Sequence, residues 1–405
     1  MSSPSLDHYY RPPGHPFFIK PIARVLERLQ CGEITLRYKQ GNWHFRAKTP
    51  YGAPADLRMT KPLAALWRTL TRGDTGFAES FIYGEWDSEH LARLLELLAV
   101  NERALNRRYG ETPWKDRLTH RFNGNSRRGS RRNIARHYDL GNNFYSLWLD
   151  VTMSYSAARF ETPQDTLAQA QVNKYQELLN RLEASPGDRL LEIGCGWGGF
   201  AEVAAKRGFT LDGITLSKEQ LNYARERVAK LGLSDAASFE LRDYRQIDQQ
   251  YDHVVSIEMF EAVGEDYWPG FFTALNRALR PGGRASMQVI TIDEADFDSY
   301  RRNADFIQLY IFPGGMLSTV TRFHECAAQA GFHIVDTSLH AQDYADTLVH
   351  WAKAFHAAHD EIRALGFDKR FMRMWQYYLA YCEAGFRTEK VNLARFTLEK
   401  QTAVS

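Results

Sequence analysis

Residues Leu191 to Gly199 read LEIGCGWGG. The stretch continues a buried strand, RLLEI from Arg189, that closes on Glu192 and turns through Gly194, Gly196 and Gly198. Glycines at that spacing let the backbone pass close to a ligand and adopt positive φ. GFAEVAAKRG (199–208) then has the periodicity of a helix, whose N-terminus presents free amides. Outward from this turn the pattern repeats. FTLDGITLS (209–217), ASFELRDY (237–244), DHVVSIEMF (252–260) and GRASMQVITI (283–292) read as strands. KEQLNYARERVAKLG (218–232) and DYWPGFFTALNRAL (266–279) read as amphipathic helices between them. The alternation predicts an α/β fold, a Rossmann-like parallel sheet with crossover helices, occupying residues 133–405.

A chain of 405 residues with 44% apolar and 25% charged residues has room for two domains with ordinary cores. Upstream of the sheet, EITLRYK and NWHFRAK alternate like a hairpin around Gln40-Gly41, and SEHLARLLELLAV (88–100) is helical. Residues 1–105 therefore read as a small α+β domain, and 106–132 as a linker. From Asn101 to Arg136 there are 11 Lys/Arg against three Asp/Glu, although the whole chain has a net charge of only +2. Such a segment suits an anionic bilayer surface, where each basic residue is worth about 1 kcal/mol; a solvated linker is the competing reading. The acidic remainder and the lack of a nucleic-acid motif speak against nucleic acid. The four cysteines are far apart, with no metal-ligand spacing, and read as reduced cytosolic thiols. The N-terminus has no signal pattern, and no apolar run approaches the roughly 18 residues a membrane span needs. A lipid substrate would thus be met by a cytoplasmic protein visiting the inner face of the membrane.

The G-x-G-x-G spacing after Glu192 differs from a pyrophosphate-binding turn. It resembles the first motif of class I methyltransferases, which implies S-adenosylmethionine as ligand. After the second strand, where such folds usually carry an acid for the ribose, this chain has ITLSKEQ, offering Thr215, Ser217 and Gln220 beside Leu216. Asp243 is placed to accept from the adenine amine and Tyr244 to stack on it; alternatively, Asp243 simply caps the next turn.

ARHYDLGNNFYSLWLDVTMSYSAARF (135–160), LEIGCGWGG, ITLSKEQ, IEMFEAVG (257–264), YIFPGG (310–315) and WQYYLAYCEAGFR (375–387) occur in that order. In this series the chain resembles the cyclopropane fatty acid synthases and mycolic acid methyltransferases. The resemblance implies transfer of the methyl or methylene carbon of S-adenosylmethionine to the cis double bond of an unsaturated phospholipid acyl chain, giving a cyclopropane fatty acid. It places Tyr138, Tyr155 and Ser156 at the methionine carboxylate, with Gly194, Cys195, Gly196, Thr215 and Gln220 along the cleft. Tyr310, Phe312, Pro313 and Gly315 read as lining an acyl pocket, with plain core packing as the competing reading, and the resemblance makes a homodimer plausible. The chemistry leaves a positive charge on an acyl carbon, so the site must be dry, cation-tolerant and equipped with a base.

In the family that base is a bound bicarbonate held by a Cys, a Glu, a His and a Tyr. Glu261 and Tyr344 match two of these, but the Cys position is Ala157 and the His position is Gln288. Gln288 still offers an N–H and Ala157 a backbone amide. The departure opens a methyl-branched or methylene-bearing chain as the alternative product. Cys382 matches a cysteine associated with activity in the family, and a buried structural thiol is an equal reading. A small-molecule methyltransferase and an inactive lipid- or cofactor-binding module are the rivals from other classes.

Overall fold

In the computed structural model, residues 17–105 and 140–402 are described. The N-terminal unit opens with α1 (Lys20–Leu26) and the hairpin β1 (Glu33–Tyr38) and β2 (Gly41–Arg46). Its register pairs Tyr38 with Gly41, so the two-residue turn is Lys39-Gln40, one residue earlier than the expected Gln40-Gly41. Lys39 takes the positive φ that such a turn demands, at 52°. β3 (Ala55–Met59), α2 (Pro62–Ile82), β4 (Trp86–Asp87) and α3 (Leu91–Val100) complete the unit. Its sheet order is β2-β1-β3-β4, with β1 and β3 parallel. Helix α2 is broken at Gly73, whose φ of 57° and ψ of −136° no other residue type adopts comfortably.

The expected linker at 106–132 lies outside the described residues. The larger unit follows with α4 (Asn142–Tyr145), α5 (Leu167–Arg181), β5 (Arg189–Ile193), α6 (Gly199–Lys206) and β6 (Thr210–Thr215). Next come α7 (Lys218–Lys230), β7 (Ala237–Leu241), β8 (Tyr251–Ile257), α8 (Trp268–Ala278) and β9 (Leu279–Ile292). The remainder is α9 (Glu294–Arg302), a π-turn at Ile307–Ile311, α10 (Val320–Gln329), β10 (Phe332–Leu339), α11 (Ala341–Ala357), α12 (His359–Ala364), α13 (Lys369–Arg387) and β11 (Val391–Lys400).

The described strands form a seven-stranded sheet in the order β10-β11-β9-β8-β5-β6-β7. β5 to β9 are parallel, and β11 runs antiparallel between β9 and β10. The expected α/β fold is therefore present. β5 is buried along Leu190–Ile193, as a strand covered by helices on both faces must be. The chain reverses direction across the sheet between β5 and β8, and a crevice at such a switch point is where ligands bind in open α/β sheets.

The two units share one core. Trp86, Phe81 and Leu94 from the first pack in one cluster with Trp375, Tyr377 and Tyr378 of α13. Arg373 fastens them: its Nε donates to Phe81 O at 2.6 Å, its Nη2 to Trp86 O at 3.0 Å, and its guanidinium lies 3.9 Å from the Phe81 ring centroid. Lys390 also reaches Glu102, and the Tyr310 hydroxyl donates to Glu79. Arg373→Ala leaves two carbonyls without this donor and should cost ~2 kcal/mol, seen as a lower Tm by calorimetry. Arg373→Lys, which keeps the charge and loses the fork, should recover less than half of that loss.

Candidate active site

The turn after β5 is built for close approach. Gly194 and Cys195 both donate their N–H to Ile214 O, at 2.9 and 3.1 Å, which locks the turn against β6. Gly194 and Gly196 have φ of 87° and 50°, and a Cβ on Gly196 would meet nothing within 4 Å. That open side faces a cavity of about 440 Å³, which runs past Glu258 and Tyr344 to Arg72 and Thr75 of the N-terminal unit.

Most of the expected cofactor residues line this cavity: Tyr155 and Ser156, then Glu192, Gly194, Cys195 and Gly196, then Thr215, Leu216, Gln220 and Tyr244. Glu261, Tyr344 and Cys382 line it too, as do Phe312, Pro313 and Gly315. Tyr310 is not on that wall: it is partly exposed and tied to Glu79. Tyr138 lies outside the described residues.

Four expected residues stand behind the wall. Gly198 (φ 81°) begins α6, where a Cβ would come within 3.2 Å of Ala224 Cβ, so helix packing requires the glycine. Ser217 caps α7, its Oγ accepting from Gln220 N. Asp243 caps the turn at Tyr244–Gln246, the alternative that the sequence left open, and pairs with the Arg245 guanidinium at 2.7 Å. Gln288, on β9, is fully buried beneath the floor. Thr215 Oγ1 donates to Gln220 Oε1 at 2.9 Å, so Gln220 presents N–H donors to the space it lines.

Several residues that sequence reasoning missed organise this floor. Glu258 follows β8 with a left-handed φ of 48°, a strained conformation for a non-glycine residue. Its Oε1 accepts from Ala157 N and Gln288 Nε2, each at 2.8 Å, and its Oε2 from the Tyr344 hydroxyl at 2.7 Å. Gln288 gives its other N–H to Ala157 O (3.2 Å), and its Oε1 accepts from Arg395 Nε at 2.8 Å. Arg395 is the cross-strand partner of Gln288 on β11, is fully buried, and also pairs with Glu177. Lys174, fully buried on α5, donates to Ser156 Oγ at 2.7 Å and Gln171 Oε1 at 2.6 Å. The available signals were polar residues at helical spacing on the buried side of α5, and an acid closing the apolar run VVSI.

Burial sets the proton positions. It pushes the Cys382 thiol far above its usual range, which favours a neutral thiol on the cavity wall. It brings the Lys174 amine down to about 7. The Glu261 carboxyl is pushed up to about 8, first by burial and then by the neighbouring Glu258; one oxygen accepts from Ile290 N and the buried Oε2 has no partner. Burial also raises Glu258, opposed by its three donors. Both acids are thus raised by burial, but Glu258 has three donors and the nearby Lys174 opposing the shift, whereas Glu261 has one donor and keeps its proton near neutrality.

Around these acids the wall is aromatic. Tyr344 stacks on Phe386 at 4.1 Å, and the hydroxyls of Tyr155 and Tyr378 are 2.8 Å apart. Such faces stabilise a positive charge in a dry cavity.

Comparison with known proteins places these features in context. The family described as mycolic acid cyclopropane synthetase matches residues 125–396. The tuberculostearic acid methyltransferase UfaA1 of Mycobacterium tuberculosis is 41% identical over 392 residues, 94% of this chain and 91% of that protein. The cyclopropane-fatty-acyl-phospholipid synthase of Escherichia coli K12 is 34% identical over 84% of this chain and 87% of its own. Among solved structures, the cyclopropane synthase MmaA2 of M. tuberculosis superposes with a TM-score of 0.63 at 30% identity, covering 67% of this chain and 98% of that one. The mycolic acid cyclopropane synthase CmaA1, solved with SAH and CTAB, gives the same TM-score at 32% identity.

The Glu261 proton gives a stability signature. The unfolded chain releases it near pH 4.5 and the fold holds it to about 8. Glu261 therefore favours the fold most below pH 4.5, and that support is lost as pH rises through 8. The Tm of Glu261→Gln relative to the unsubstituted protein should climb between pH 4.5 and 8, on the order of 5 °C in scanning calorimetry. A difference flat with pH would mean that Glu261 is charged throughout.

Proposed function

The chain belongs to the mycolic acid cyclopropane synthetase family, and from that premise we propose that it alkylates the cis double bond of an unsaturated phospholipid acyl chain and leaves a methyl-branched or methylene-bearing chain. Members of this family are S-adenosylmethionine-dependent enzymes that modify lipid acyl chains. The residues present fit that cofactor: Gly196 leaves an open cradle, the buried Glu192 Oε2 has no protein partner, and Gln220 and Tyr244 stand on the walls. When bound, the cofactor supplies an electrophilic methyl carbon.

The observation that carries the reading is a single cavity joining the cofactor turn to an aromatic chamber with two half-buried acids at the junction. An alkene is a weak nucleophile and needs no base to attack; the base is needed afterwards, beside the cation. A small-molecule methyltransferase would instead need its base against a nucleophilic oxygen or nitrogen. The aromatic wall holds the acyl chain and tolerates the charge, Tyr155 from the segment before α5 and Tyr378 from α13 close the chamber, and Glu261 and Tyr344 bound the reacting end. Two features favour the methyl-bearing product: the 41%-identical relative is named a methyltransferase, and Ala157 and Gln288 replace the expected Cys and His. Loss of a proton from a neighbouring carbon then gives a chain that keeps one double bond. The E. coli relative's name supports the ring as the second reading.

Incubation with methyl-labelled cofactor and vesicles of cis-unsaturated anionic phospholipid, followed by proton NMR of the released fatty acids, separates the two. Label with retained vinyl protons is expected. Upfield ring protons without vinyl signal would establish the cyclopropane instead, and no label in any acyl chain would sink the lipid reading.

Access from a bilayer is supported by α2, whose first half exposes Leu63, Trp67 and Leu70 at 57%, 65% and 76%. These residues recur at helical spacing and lead to the break at Gly73, beside Arg72 and Thr75 at the cavity's end. No described helix is long and apolar enough to cross a membrane. Docking on the bilayer surface through this face predicts that Trp67→Glu with Leu70→Glu lowers co-sedimentation with anionic vesicles at least about fivefold, from lost apolar burial. Binding of S-adenosylhomocysteine should be unchanged.

A further inference from the structure

We infer that Glu258 is the proton acceptor of the reaction, a carboxylate built into the chain at the place where an external bicarbonate was expected. The inference rests on the acyl-alkylating function proposed above and assigns its base.

The test of fit comes from the donors. An external anion here would need the amide of Ala157, the side-chain N–H groups of Gln288 and the hydroxyl of Tyr344. All three already serve Glu258, at 2.8, 2.8 and 2.7 Å. Gln288 cannot release its share by rotating. Its Oε1 is held by Arg395 at 2.8 Å and its second N–H by Ala157 O, so a flipped amide would set an N–H against the guanidinium. Tyr344 has one proton and gives it to Glu258. A second anion would also stand beside a carboxylate, and like charges at close range inside a protein repel strongly. The residues present do not fit bicarbonate, and no step is routed through it.

Glu258 meets what a base requires. It lines the cavity next to Met259 and Gly194, at the carboxyl end of β8 beside the switch point. Its left-handed backbone is pinned by the bond from Glu258 N to Gln288 O at 2.8 Å. A carboxylate offers about four acceptor positions. Two donors fill those of Oε1 and one occupies Oε2, which leaves a lone pair on Oε2 for an incoming proton. Glu261 is a poorer acceptor, because it has one donor, and burial and then the neighbouring Glu258 keep its own proton in place.

The step balances without any further reactant. After alkylation one alkene carbon bears the new methyl and the other carries the positive charge. For the alkene product a C–H bond on a carbon adjacent to the cation breaks and its electron pair becomes the new double bond; for the ring a C–H bond of the transferred methyl breaks and its pair becomes the closing single bond. In either case the charge is cancelled and the proton passes to Glu258 Oε2. The neutral carboxyl then returns the proton to solvent as product leaves.

The test uses the full chain, methyl-labelled cofactor and vesicles of cis-unsaturated anionic phospholipid. In buffer stripped of carbon dioxide the unsubstituted enzyme should turn over at the same rate as with 10 mM added bicarbonate, a concentration of order ~10 mM being ample for a small-anion site. A several-fold bicarbonate stimulation would overturn the inference. Glu258→Gln should lose at least about 100-fold in kcat, the scale of a general base, while S-adenosylhomocysteine binding by calorimetry is retained. Activity within tenfold of the unsubstituted enzyme would overturn it. Glu258→Gly suits the positive φ and opens space for a small carboxylate. Added formate should restore its turnover in proportion to concentration and leave the unsubstituted enzyme and Glu258→Gln unmoved. A folded, cofactor-binding Glu258→Gly that formate does not restore would count against the assignment. An unsubstituted enzyme that labels no acyl chain would overturn the function and this inference together, whereas labelling insensitive to Glu258 would overturn the inference alone.

Discussion

A carboxylate taken out of water must be met by donors, and the floor of this site is organised by that need. Glu258 collects three of them from three separate places: the segment before α5, strand β9 and helix α11. Gln288 serves it only because Arg395 holds the other end of the amide, and Arg395 is buried only because Glu177 pairs with it. Each link would be costly alone, since an unpaired buried charge or an unsatisfied amide destabilises a core. Connected, they form a network in which every member's partner is supplied by the next. The arrangement also aligns the crossing segment, the sheet and the helical cover to one another at the point where the chemistry occurs.

Much of this architecture was legible in the residues. The G-x-G-x-G turn, the alternation of strands and helices, and the ordered motifs led to the fold and to most of the cavity wall, because backbone freedom and apolar periodicity are local properties. The polar assignments were less secure. Asp243 and Ser217 are short acceptors that prefer the nearest backbone N–H, and both became caps. Gly198 takes a left-handed φ and packs closely on Ala224, so the helix interface alone already favours glycine there. Glu258 went unrecognised because its role depends on contacts with Ala157, Gln288 and Tyr344, which are 101, 30 and 86 positions away in the chain. Residue type and spacing do not encode such encounters. The hairpin turn shifted by one residue because register, not composition, decides which pair sits in the loop.

The N-terminal unit is more than an appendage. Its core is continuous with α13, and the cavity that begins at the cofactor turn ends among its residues. The chamber closed at the interface between the units thus has the glycine turn at one end and residues of α2 at the other. Helix α2 combines both duties in one element: buried against α13 beyond Gly73, and apolar toward solvent before it.

The position of Arg395 on β11 has a consequence for how the protein comes into being. Strand β11 inserts between β9 and β10, both of which precede it in the chain. A polypeptide still emerging from the ribosome can assemble β5 to β9 and the glycine turn, but it lacks the guanidinium that orients Gln288. The cofactor pocket therefore takes shape before the acid floor does. Chains interrupted before this strand would keep the glycine turn and lack the guanidinium that holds Gln288 beneath Glu258.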